Sequence, residues 1–195
     1  MLSHYKVQLT GLADPVARAL LRAHVRPNQL TVLGLGVSCL AAYALSRASL
    51  RAGALLLAVA GLFDFFDGAL ARMAGQVTFF GAFLDSVVDR YSDLIVLLGI
   101  LLLYQRTGDV TGLFCTMATV VGTVMVSYTK ARAQSIGIAC EIGLMERPER
   151  LIGLIAGAAF NLLTLAMMVL AVLTNVTALQ RIFYTRKAAR GAAFR

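Results

Sequence analysis

Residues 8–24, QLTGLADPVARALLRAH, place Leu9, Leu12, Val16 and Leu20 on one helical arc with Arg18 and Arg22 opposite. This is the pattern of a helix lying in a membrane interface. Pro15 after Asp14 also suits a capped first turn, which sets an alternative start there. Beyond Pro27 the two-faced pattern gives way to runs that are apolar all round, at 29–46, 52–73, 80–104 and 109–133. Each approaches or exceeds the roughly 20 apolar residues of a bilayer span. Arg47 and Arg51 bracket the first turn. Gly75, Gln76 and Thr78 mark the second, and Thr107, Gly108 and Asp109 the third.

The last apolar stretch, 151–180, is long for one helix and short for two. Charge bias decides between them. With the Asp-rich end of the second and third helices in the cytoplasm, that side carries Lys6, Arg18, Arg22, Arg26, Arg72, Arg90, Lys130, Arg132, Arg147 and Arg150, against Arg47, Arg51 and Arg106 opposite. One final helix would put Arg181, Arg186, Lys187, Arg190 and Arg195 outside, against the positive-inside rule. Two short helices, breaking near Phe160 and Asn161, keep them inside. The expected fold is therefore all-α and integral to the membrane, with six transmembrane helices after an amphipathic interfacial one. It forms one domain: interfacial helix and linker over 1–28, core over 29–180, and a basic tail over 181–195. Both termini are expected in the cytoplasm of a cell-membrane protein.

Composition supports lipid as the solvent. Of 195 residues 59% are hydrophobic and only 14% charged, with a mean hydropathy of +0.78; a soluble domain has about half and about a quarter. The net charge of +8 is not gathered on a soluble module, and no nucleic-acid motif or aromatic platform accompanies it. Anionic head groups and phosphate-bearing substrates explain it better. Cys39, Cys115 and Cys140 have no metal-like or paired spacing; Cys39 and Cys115 fall in apolar runs and read as small core residues. Residues 1–28 lack the continuous apolar segment of a secretory signal.

Five of the ten acidic residues fall between positions 64 and 93, on helices expected to cross lipid. An intramembrane aspartate is costly, and a lone one often pairs with an Arg for packing alone. Five exceed what Arg72 and Arg90 would neutralise. Asp64 and Asp67 share a helix face by their spacing, as do Asp85, Asp89 and Asp93. Asp67 and Asp85 lie equally far from residue 76, and so, within half a residue, do Asp64 and Asp89. A hairpin then sets two carboxylates against two at matched depths, roughly 10–20 Å from the turn. Converging carboxylates repel unless a cation neutralises them. Oxygen ligands without His or Cys point to Mg²⁺, Mn²⁺ or Ca²⁺. Gly68 and Gly81 leave room beside the acids, though either also suits close helix packing, and Arg72 near the mouth is able to hold a phosphate.

Residues 64–89, DFFDGALARMAGQVTFFGAFLDSVVD, match D-x2-D-G-x2-A-R-x8-G-x3-D-x3-D at every fixed position. This signature resembles that of the CDP-alcohol phosphotransferases, and the likeness extends over most of the chain, including PNQLTVLG at 27–34. The resemblance implies that Asp64, Asp67, Asp85 and Asp89 bind a divalent metal, Mg²⁺ or Mn²⁺, which holds the pyrophosphate of a CDP-linked lipid such as CDP-diacylglycerol. It implies Asp89 as the general base for an acceptor hydroxyl that attacks the β-phosphorus, releasing CMP. Gly68, Ala71, Arg72 and Gly75 would surround the CDP moiety, joined by Asn28 and Thr31, residue types that also serve as plain helix caps. A homodimer is the assembly the family implies; the G-x3-G pair Gly153 and Gly157 suits a contact within the chain as well as between chains.

The segment SYTKARAQSIGIACEIGLMERPER at 127–150 resembles the branch making phosphatidylinositol phosphate or archaetidylinositol phosphate, with Gln134 in place of that pattern's Glu. Asp93, four past the signature, fits the same branch. On this likeness Lys130, Arg147 and Arg181 would hold the phosphate of a phosphorylated polyol, inositol 1-phosphate. Arg132 and Arg150 read equally as lipid-facing or structural. Glycerol 3-phosphate, giving phosphatidylglycerol phosphate, is the rival acceptor, since it needs a phosphate clamp too. A cation or proton transporter is the rival class, but its site would sit nearer mid-plane on broken helices. Here the acids gather towards one end.

Overall fold

The computed structural model describes residues 15–16, 18–75 and 78–192, and every regular element among them is helical. The first half of the expected interfacial helix, 8–14, lies outside the described residues. Residues 15–16 and 18–22 are helical, with Val16, Arg18 and Arg22 exposed. Six helices follow: α1 Pro27–Ser46, α2 Leu50–Met73, α3 Phe79–Thr107, α4 Val110–Ser135, α5 Arg147–Ala159 and α6 Leu163–Ala192. Four of them, α1, α2, α4 and Leu163–Arg190 of α6, are long and apolar enough to cross a membrane. The chain is a multi-pass membrane protein. Helix α3 has 29 residues but carries Asp85, Asp89, Arg90 and Asp93 in its first half. Helix α5 has 13 residues, about 20 Å at 1.5 Å each, which is short of a roughly 30 Å hydrocarbon layer.

The chain divides after Leu103 into two compact units. In the first, α1 and α2 pack closely because small residues let their backbones approach. A Cβ at Gly34 would sit 3.3 Å from Phe63, and one at Gly53 would press 2.5 Å from the Leu45 side chain. Helix α3 approaches α1 more tightly still: a Cβ at Gly99 would overlap the Ala42 carbonyl. Helix α2 ends at the left-handed Gly75 (φ 61°), which an L side chain would strain, and Thr78 Oγ1 accepts the Gly81 N–H (2.9 Å) to start α3.

The second unit is held by polar contacts within an apolar frame. Asp109 caps α4 by accepting the Gly112 N–H at 2.9 Å, and its other oxygen accepts from Thr164 Oγ1 of α6 at 3.0 Å. Further along, Asn175 Nδ2 donates to Ala118 O of α4 (3.0 Å), lying over Gly122, where a Cβ would meet it at 2.9 Å. Between helices in lipid such hydrogen bonds replace the absent hydrophobic driving force.

The break between the last two helices falls at Phe160 and Asn161, as the charge bias predicts, with Asn161 left-handed (φ 56°). Gly157 and Gly153 both face α6, meeting Ala166 and Leu170, so the G-x3-G pair serves packing within the chain. The two helices are not equally short. Helix α6 runs on through 181–192, the stretch expected as a tail, because Arg181 is buried at 2% exposure and hydrogen-bonded into the unit. The cysteines also differ from expectation: Cys39 is exposed on α1, Cys115 is half-buried, and Cys140 is the buried one.

Candidate active site

Helices α2 and α3 bring Asp64, Asp67 and Asp85 together, each offering a carboxylate oxygen within 4.8 Å of the others. Asp67 is the deepest, 5% exposed, and Asp64 and Asp85 are half-buried. Phe65 and Phe66, between the two α2 acids, pack on buried Ala69. Carboxylates this close repel one another strongly in a low-dielectric setting. A hard divalent cation answers both the charge and the all-oxygen donor set, so the residues fit Mg²⁺ or Mn²⁺. Asp89 is not in this trio. It lies one turn on, about 6 Å along α3, mostly buried, with Arg90 Nη1 4.0 Å from its Oδ2.

Thr31 has a more definite place than its cap-like position suggests. Its hydroxyl lies 3.3 Å from Pro27 O but 2.7 Å from Asp67 Oδ2. The charged, nearer acceptor takes the single proton. Thr31 therefore orients the deepest carboxylate of the trio. Thr31→Val is expected to weaken Mn²⁺ binding by about tenfold or more, and Thr31→Ser to restore it. Calorimetric Mn²⁺ titration of the purified variants checks this; equal binding by the valine variant refutes it.

The other signature residues surround the α2–α3 turn. Arg72 is exposed, and its guanidinium lies alongside the bare backbone of Gly68, 3.4 Å from where a Cβ would be. Ala71 is half-buried, and exposed Gly75 makes the turn itself. Asn28, exposed in the first turn of α1, has its Oδ1 3.6 Å from a Cβ built on Gly81, so α1 and the start of α3 meet beside the acids.

In the second unit, Lys130 of α4 and Arg181 of α6 converge on one carboxylate. Lys130 Nζ lies 3.7 Å and Arg181 Nη2 3.2 Å from Glu146 Oε1. Arg181 also donates from Nε to Ile142 O (2.7 Å) and from Nη1 to Val126 O (2.6 Å). Arg147 follows Glu146 as the first residue of α5 and is half-buried. Arg150 is buried and donates to Met145 O at 3.2 Å, so it does not face lipid. Sequence reasoning passed over Glu146, although it stands in the run GLMERPER at 143–150, between the basic residues singled out there. Gly143 of that segment is bare for a reason: a Cβ there would meet Thr177 at 2.9 Å and the Arg181 guanidinium at 3.1 Å.

Residues 24–184 match the sequence profile of CDP-alcohol phosphatidyltransferases. The archaetidylinositol phosphate synthase of Methanothermobacter thermautotrophicus is 38% identical over 190 residues, covering 94% of this chain and 93% of that one. The phosphatidylinositol phosphate synthase of Mycobacteroides abscessus is 38% identical over 184 residues, covering 90% and 84%. Among solved structures, the phosphatidylinositol phosphate synthase of Mycobacterium tuberculosis with CDP-DAG bound superposes with a TM-score of 0.82 at 36% identity, covering 89% of this chain and 92% of that one. The same enzyme in complex with manganese and citrate gives 0.80 at 35% identity, covering 89% and 88%.

Proposed function

Because the chain belongs to the CDP-alcohol phosphatidyltransferase family, we propose that it transfers a phosphatidyl-type group from a CDP-linked lipid to the hydroxyl of inositol 1-phosphate, releasing CMP. The observation that carries this is the trio of carboxylate oxygens within 4.8 Å, set in the full signature. A bound divalent cation would neutralise the pyrophosphate and stabilise the departing CMP. The chain's own residues do the rest. Asp64, Asp67 and Asp85 hold the cation site, and Thr31 fixes Asp67. Asp89 accepts the proton of the acceptor hydroxyl as its oxygen bonds to the β-phosphorus and the bond to the CMP oxygen breaks. The family likeness also offers Asp89 as a fourth metal-site carboxylate, a role that Mn²⁺ titration of Asp89→Asn separates from that of the base. Arg72, with Asn28, Gly68, Ala71 and Gly75, lines the place of the CDP moiety.

Lys130, Arg147 and Arg181 hold the acceptor's phosphate in this reading. Two of them already meet at one anionic oxygen, which supports an anion-binding role. Six spans, a site opening to the cytoplasm, cytoplasmic termini and a homodimer complete the proposal. The charge bias of the turns supports the orientation, and family likeness supports the dimer. Purified protein in detergent, given CDP-diacylglycerol and Mn²⁺, is expected to release CMP with inositol 1-phosphate and not with free inositol. Release with glycerol 3-phosphate alone would replace the acceptor; no release with any acceptor would sink the enzymatic reading.

A further inference from the structure

Arg181 presents a physical problem whose answer lies in the acceptor site. A guanidinium that is 2% exposed needs an opposite charge beside it at all times, or its burial becomes strongly unfavourable. In this structure Glu146 provides that charge, and the same oxygen also draws in Lys130. Both cations belong to the set assigned above to the acceptor's phosphate. A phosphate monoester arriving there meets a carboxylate in the position where its own oxygens would bind.

We propose that Glu146 is the resting occupant of the acceptor-phosphate site, a built-in anion that the substrate's phosphate exchanges for. This rests on the assignment of Lys130 and Arg181 to that phosphate. The geometry suits exchange. Arg181 does not depend on Glu146 for its place, because Ile142 O and Val126 O hold its Nε and Nη1 at 2.7 and 2.6 Å. Glu146 itself makes no side-chain cap to α5, and its side chain retains 24% exposure. The carboxylate is thus the movable member and the guanidinium the fixed one. Lys130, 36% exposed in its side chain, can follow whichever anion is present. The exchange keeps Arg181 compensated in both states and sets a selectivity threshold. A neutral polyol cannot displace a carboxylate from two cations, whereas a phosphate with about two charges can.

The arrangement predicts an effect of unusual sign. Removing the charge of Glu146 should tighten phosphate binding, since the incoming anion no longer competes with or faces a carboxylate. Calorimetric titration of the full chain in detergent with inorganic phosphate is the direct measurement. Glu146→Gln and Glu146→Ser should each bind phosphate about tenfold tighter than the unaltered protein, and Glu146→Asp, which keeps the charge, should not. Without phosphate the two neutral variants should melt at lower temperature, and phosphate should restore them by more than it raises the unaltered protein. Phosphate binding that is unchanged or weaker in both neutral variants overturns the proposal and makes Glu146 a positioning residue. Lys130→Gln separates the two layers. If it weakens phosphate binding while the Glu146 variants do not tighten it, the acceptor site stands and the exchange fails. If it changes nothing in any background, the acceptor-site assignment itself fails.

Discussion

Asparagine in place of Asp67 is expected to lower CMP release by about three orders of magnitude or more, since a metal site supplies several kcal/mol of charge stabilisation. Asp67 is the most buried of the trio; it accepts from Thr31 and also offers an oxygen to the shared site. Asparagine keeps the shape and can still accept from Thr31, so the α1–α2 contact should survive. What goes is one of three charges that make the site attractive to a cation. Two results should therefore move in opposite directions. Mn²⁺ binding should collapse, while the metal-free protein should melt at higher temperature, because one source of carboxylate repulsion has been removed. Loss of activity alone would fit a damaged fold. Loss of activity and of Mn²⁺ binding, with a gain in metal-free stability, fits a cation site. Wild-type Mn²⁺ affinity in this variant would take Asp67 out of it.

Most of the helices were legible in the sequence because apolar runs ended at recognisable turns. The observed bounds of α1 to α4 lie within a few residues of those predicted. The break at Phe160 and Asn161 was legible only through charge. Hydropathy cannot tell one long helix from a short and a long one, and charge bias cannot say how their lengths divide. The continuation of α6 was hidden for a related reason. Arg181 heads a basic run, and basic runs are normally solvated; its burial depends on carbonyls at 126 and 142, far away in sequence.

The site shows the same division between local and non-local information. The mirror spacing about residue 76 correctly brings Asp64, Asp67 and Asp85 together, since a hairpin of two regular helices is nearly a local structure. Thr31 reads locally as a cap residue, and does approach Pro27 O, but its shorter bond reaches a partner 36 residues on. Glu146 was passed over because attention to a phosphate site favours basic residues, whereas a buried cation equally requires an acid. Asp89 shares a face with Asp85 but lies one helical turn on, so its carboxylate is not among the three close oxygens.

That separation makes the outcome at Asp89 distinct from the outcome at Asp67. Asp89→Asn should reduce CMP release by about 10²–10⁴, the usual contribution of a positioned general base. Asparagine has the size of the aspartate but cannot take up the acceptor's proton as the new oxygen–phosphorus bond forms. The side chain is 17% exposed, so water has little access to substitute for it. On the reading that the three close carboxylates hold the cation, Mn²⁺ binding should stay close to that of the unaltered protein, and so should binding of the CDP-linked lipid. Single-turnover CMP release measured beside Mn²⁺ titration on the same preparation gives both quantities. A rate near normal would remove Asp89 from the base role. A rate loss matched by loss of Mn²⁺ binding as large as that of Asp67→Asn would instead make Asp89 a fourth ligand, drawn in when the cation and substrate bind.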